Sequence, residues 1–160
     1  MVATIFSRFK IQKPETSWDI LVSRVNNLAF FARQEAITQR KVFRLTCEVG
    51  KQPPDFLYVE REETDPDKPE KKLFKPYSSG YFKSRLELPS QIRIKAVYQN
   101  GKEQLEQNKG KNAYCHIVPD GITEDILIHL VKNERDVEEL ATIKMRPFLG
   151  NFEFFDNFIK

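Results

Sequence analysis

From residue 16 to about residue 40 the apolar side chains Trp18, Leu21, Val22, Val25, Leu28, Ala29, Ala32 and Ala36 recur at spacings of three and four, the period of one helix face. Pro14 precedes this run, and Thr16 stands three positions ahead of Asp19, a hydroxyl-then-carboxylate spacing that caps a helix start by satisfying its free N–H groups. A helix of roughly 25 residues at 1.5 Å each spans about 37 Å, more than the diameter of a small domain. Beyond Lys41 the period changes to two. Phe43, Leu45, Cys47 and Val49 alternate with Arg44, Thr46 and Glu48, as a half-buried strand requires.

Further strands are expected at 56–60, 81–88, 92–98, 113–118, 126–131 and 140–145, where β-branched and aromatic residues gather between Pro, Gly, Asn and Asp clusters. Asn100-Gly101 and Asp120-Gly121 are candidate tight turns, since both pairs tolerate positive φ. Residues 61–72 hold nine charges and two prolines in twelve, and 101–112 is rich in Lys, Gln and Asn, so both read as exposed loops. No repeat or shift in composition marks a second domain. One long helix followed by antiparallel sheet is an α+β arrangement in a single domain spanning 1–160.

The composition, 40% apolar and 31% charged over 160 residues, suits one packed domain and excludes collagen-like or low-complexity chains. The longest apolar run, 28–32, is far short of the ~20 residues that cross a bilayer. The opening residues lack the pattern of a secretory signal. Cys47 and Cys115 allow one disulfide at most and match no metal spacing. Net charge is only +3, but the first 44 residues carry eight Lys or Arg against three acids. Arg24 and Arg33 lie nine positions apart, about 180° around a helix, so this charge is spread rather than striped, which speaks against a nucleic-acid face.

Candidate chemistry is sparse. Cys115-His116 would have to act as a thiol–imidazole pair, yet neighbours on a strand point to opposite faces, so a core thiol and a surface imidazole are expected. His129 is expected on the less buried face of its strand. Asp120, Glu124 and Asp125 lack the alternating oxygen ligands of a calcium loop. No phosphate-cradling, dinucleotide, nucleophile-elbow or zinc-protease motif occurs, so no catalytic residue, metal or cofactor is assigned.

Three stretches carry a resemblance. The helix holds the spacing L-x6-L-x3-A-R-x-x-A-I at Leu21, Leu28, Ala32, Arg33, Ala36 and Ile37. Ile117-Val-Pro-Asp-Gly121 precedes the strand at 126–131, and residues 143–145 lead into Pro147-Phe-Leu-Gly-Asn-Phe152. In this order they resemble the minor pseudopilins of type II secretion systems, closest to the H-type, and the related minor pilins of type IV pili. The resemblance implies a pilin-like head of a structural, non-enzymatic subunit in a pseudopilus that serves protein export across the outer membrane. Its implied partners are other minor and major pseudopilins, the inner-membrane secretion platform, and a prepilin peptidase acting on the full-length precursor. It further implies a periplasmic head in the bacterial cell envelope, held in the inner membrane by an apolar N-terminal helix. That helix, its cleavage motif and the glutamate after it are missing here. The expectation is therefore a truncated form in which Met1 stands in place of the membrane segment, with 2–9 the remnant of the junction to the head and 1–15 leading up to the helix. Gly150-Asn151 occupies the place where relatives have T-G-[RK], without the basic residue.

Trp18, Leu21, Val25, Leu28, Ala32 and Ala36 are candidates for helix packing, with burial against the chain's own sheet competing for each. Phe30 and Phe31 cannot both face one sheet, so one is expected to reach a neighbouring subunit. In the aromatic tail, Phe152 and Phe154 share one strand face and Phe155 lies opposite, which offers a side to a partner or to the core. The alternative is a DNA-binding minor pilin of a type IV pilus, which would need a basic cluster that 147–160, with Glu153, Asp156 and one lysine, does not supply.

Overall fold

The computed structural model describes residues 17–160. Pro14, Thr16 and the junction expected over 1–15 lie outside them. The helix α1 (Ser17–Gln39) is followed by β1 (Phe43–Glu48), β2 (Phe56–Thr64), β3 (Lys72–Pro76), β4 (Arg85–Glu87) and β5 (Ile92–Gln99). Then come β6 (Lys102–Glu103), a single turn α2 (Gln104–Gln107), β7 (Asn112–Ile117), β8 (Ile126–Glu134), β9 (Val137–Arg146) and β10 (Asn151–Phe155). The strands form two antiparallel sheets. The first runs β3-β2-β1-β7 with β4 also on β2, and the second runs β10-β9-β8-β5-β6.

The inward sides of α1 and both sheets share one core. Leu21, Val25 and Leu28 meet Phe43, Leu45, Leu57 and Val59 of the first sheet and Ile128, Leu130 and Ile143 of the second. Burying each large aliphatic side chain contributes about 1.5–3 kcal/mol. Ala29, Ala32 and Ala36 are fully buried, so the helix backbone lies close to the strands. Along its flank, Asn26 faces the open edge of β10. Its Nδ2 donates to the Phe152 carbonyl (3.2 Å) and its Oδ1 accepts the Phe152 N–H (2.6 Å), so a side-chain amide pairs backbone that a further strand would have paired.

Several expectations are corrected. Residues 61–72 are not all loop: β2 continues through Thr64 and pairs with β3, Glu62 opposite Phe74. Charged residues line its rim, with Arg61 bound to Glu63 of the same strand and lying over the Tyr77 ring just beyond β3. The strand expected at 81–88 shrinks to β4. Asn100-Gly101 does turn with positive φ at both residues. Asp120-Gly121 instead forms a wider turn in which only Gly121 has positive φ, while the tight β8–β9 hairpin is made by Arg135 and Asp136.

His129 is also placed differently. Its strand is buried on both faces, because residues beyond Phe155 fold back over the outer face of the second sheet. Phe158 stacks flat on the imidazole, with ring centres 4.2 Å apart and planes at 3°. His129 Nε2 lies 2.8 Å from the Ile159 carbonyl, which only accepts, so this nitrogen carries the proton. Thr142 Oγ1 donates to the Asn157 carbonyl and accepts the Ile159 N–H.

Candidate interaction surface

The exposed positions of α1 between Ile20 and Thr38 are Ile20, Ser23, Arg24, Asn27, Phe30, Gln34, Ile37 and Thr38. At 100° per residue they fill one sector of about 140°, and the charges exposed in that sector are Arg24 and, just before Ile20, Asp19. A solvated helix face usually carries many charges, and this one carries few. Phe30 is 61% exposed, whereas Phe31 turns inward and stacks on Phe82 at 4.1 Å. Of the two adjacent aromatics, Phe30 is the one that faces solvent.

The three stretches that carry the resemblance meet at Arg33. Its Nε donates to the Gly121 carbonyl (2.8 Å), and its aliphatic stem runs past Gly150. Both glycines have positive φ, and a Cβ on Gly150 would stand 2.4 Å from Arg33 Cδ, one on Gly121 2.8 Å from Ile37 Cδ1. Positive φ favours glycine at both places, and at Gly150 the stem of Arg33 also leaves little space for a side chain. The two turns are joined by the Thr123 N–H donating to the Pro147 carbonyl. Around this clasp, Phe30, Ile37, Val118, Ile122, Phe148 and Leu149 are all exposed, the last two by 77% and 61%. Exposed apolar residues gathered around one point are a candidate interaction surface. Ile122 was not singled out in the sequence, Val118 and Leu149 stood there only within the motifs of the resemblance, and Phe148 only within a motif and the aromatic tail; the clasp brings all four beside the helix.

The other candidates fall elsewhere. Leu21, Val25, Leu28, Ala32 and Ala36 are taken up by the chain's own core. Trp18 is half-buried, its ring against Phe154 and its Nε1 donating to Glu139 (2.9 Å). Phe152 is buried beside Asn26, and Phe155 lies partly exposed on the opposite face of β10.

Cys115 and His116 do point to opposite faces. Burial raises the Cys115 thiol well above 9, and burial with nearby Asp55 pushes the Cys47 thiol up to about 12. Both are free and buried. The His116 ring instead pairs with Glu124, Nδ1 to Oε2 at 2.9 Å, and the same oxygen accepts the His116 N–H. Among the described residues no group of three or more His, Cys, Asp or Glu is placed to hold a metal ion, and no helix is long and apolar enough to cross a membrane.

No protein-family model matches the chain, and no curated protein matches it. Solved structures do. One of the minor pseudopilin EpsH from the type II secretion system of Vibrio cholerae matches with a TM-score of 0.58 at 11% identity, over 88% of this chain and 98% of that one. A second structure of the same pseudopilin gives 0.59 at 9% identity, over 90% and 96%. The chain therefore shares the pilin-like α+β fold of a minor pseudopilin head, and its resemblance in sequence is matched in three dimensions.

Proposed function

We propose that this chain is a non-enzymatic assembly subunit, a minor pseudopilin of the H-type that joins other pseudopilins in a type II secretion pseudopilus and so takes part in protein export. The observation that carries this reading is the charge-poor outer face of α1, continuous with six exposed apolar residues around the Arg33 clasp, on a fold shared with EpsH. Such a surface is suited to side-by-side packing of subunits and holds no reacting group. In this reading α1 continues an apolar helix that anchors the precursor in the inner membrane and is released by a prepilin peptidase. Residues 1–15 are the junction, and the head stands in the periplasm, where it would meet the secretion platform through its neighbours.

The test is association of the purified chain with the heads of other pseudopilins, read by cross-linking and light scattering. Phe30→Asp combined with Phe148→Asp is expected to abolish association while leaving the circular dichroism unchanged, because both side chains already face solvent. Failure of the unaltered chain to associate with any pseudopilin head at concentrations up to about 1 mM would refute the reading. Salt-sensitive DNA binding in its place would favour the type IV pilus alternative.

A further inference from the structure

The outer face of the second sheet bears two cavities, of about 1050 Å³ and about 440 Å³, that share Asp125, Lys144 and Ile159. The segment 156–160 thus crosses a single trough as a strap, leaving open space on both sides. Its attachment is unusual. Among the described residues no backbone–backbone hydrogen bond ties 156–160 to the sheet. The strap is held by side chains reading its backbone: His129 at the Ile159 carbonyl and Thr142 at the Asn157 carbonyl and the Ile159 N–H. Phe158 fills a slot made by the flat face of His129, which Tyr98 supports edge-on at 5.1 Å. Side chains that satisfy the backbone of an extended segment, with a slot for one aromatic ring, are the means by which proteins capture peptides.

We propose that this trough is a receptor for an extended polypeptide segment of a partner subunit, one that carries an aromatic residue followed by an aliphatic one. Phe158-Ile159 is its resident, displaceable occupant. The floor and wall beyond the strap include Ala96, Leu127 and Leu105, already buried, and the half-buried Tyr98 and Val49, whose exposed parts an incoming segment would cover. Lys95 and Lys144 are offset by Glu103, Glu106 and Asp125 around the rim. That mixed charge suits a peptide backbone with flanking charges of either sign and gives no field for a polyphosphate. The strap follows directly on β10, so its effective concentration is at least in the millimolar range and it competes with any partner.

The experiment uses a labelled synthetic peptide of the sequence 154–160 (FFDNFIK), titrated into the full chain and into a form ending at Phe155, with fluorescence anisotropy as the readout. The shortened chain is expected to bind saturably and at least about 10-fold more tightly than the full chain, the factor by which a tethered competitor lowers apparent affinity. Peptide with Phe158→Ala, and the shortened chain with His129→Ala, should each lose about 10-fold or more. A shortened chain that melts cooperatively but shows no binding at 1 mM, or binds the Phe158→Ala peptide equally well, overturns the proposal. If shortening prevents folding, the full chain with Phe158→Ala serves instead. It should bind the unaltered peptide more tightly than the wild type, and equal affinity overturns the proposal. This titration involves no pseudopilin, so its outcome is separate from that of the assembly test.

Discussion

Replacing Gly150 by alanine probes the clasp that holds the helix to the two turns. Gly150 has φ of +68°, and a non-glycine residue there costs about 1–2 kcal/mol. The new Cβ would also stand 2.4 Å from Arg33 Cδ, mid-stem in a side chain whose Nε is fixed on the Gly121 carbonyl. Arg33 must leave, and a hydrogen bond from a charged donor contributes about 1.5–3 kcal/mol. The expected total is about 3 kcal/mol, or a shift of about 1.5 M in the urea midpoint for a slope of about 2 kcal/mol per molar. A double-mutant cycle separates the two causes. With Arg33→Ala already present nothing obstructs the Cβ, so Gly150→Ala should then cost only the backbone portion, leaving a coupling of about 1.5–3 kcal/mol. Gly121→Ala should cost less than Gly150→Ala, because its obstruction is the terminal methyl of Ile37, a partly exposed side chain free to swing. Equal costs of Gly150→Ala in both backgrounds would refute the steric reasoning.

Two further outcomes are expected. Burial opposes ionisation of Glu124, but hydrogen bonds from the His116 ring and N–H outweigh it and hold the carboxyl below the ordinary 4.5. A carboxylate with a depressed folded pKa contributes stability above that value and loses it as pH falls further, so Glu124→Gln should flatten the acid limb of stability below about pH 4.5, and an unchanged limb would contradict this. Cys47 and Cys115 are buried with raised thiol pKa, so a thiol reagent at pH 8 should label them only as fast as the chain unfolds; immediate labelling of either would show an opening the structure lacks.

Much of this was legible in the chain itself. The helix showed because its buried residues keep a strict three-and-four spacing, and β1 because polar residues alternate with apolar ones along it. The clasp was legible as three short motifs, though not that Arg33, Gly121 and Gly150 touch. Such contacts join positions 88 and more apart, and no local pattern records them. The charged end of β2 was hidden because Arg61, Glu62 and Glu63 show no apolar alternation; the strand there is held by its backbone pairing with β3. The covering of His129 was hidden for a related reason: the residues that bury its face come 29 and 30 positions later, and nothing in Phe158-Ile159 says where they will lie. Phe30 was visible as half of an awkward pair, and the structure decided between the two rings.

The amide of Asn26 on β10 has a consequence for how this molecule can be multiplied. A bare sheet margin invites the next molecule to add itself rung by rung, the route by which β-rich proteins grow into unintended fibres. At Phe152 both rungs are already taken from within, by a residue rooted in the helix. A second copy therefore cannot extend the second sheet past β10 at Phe152 by backbone pairing while this amide stays in place.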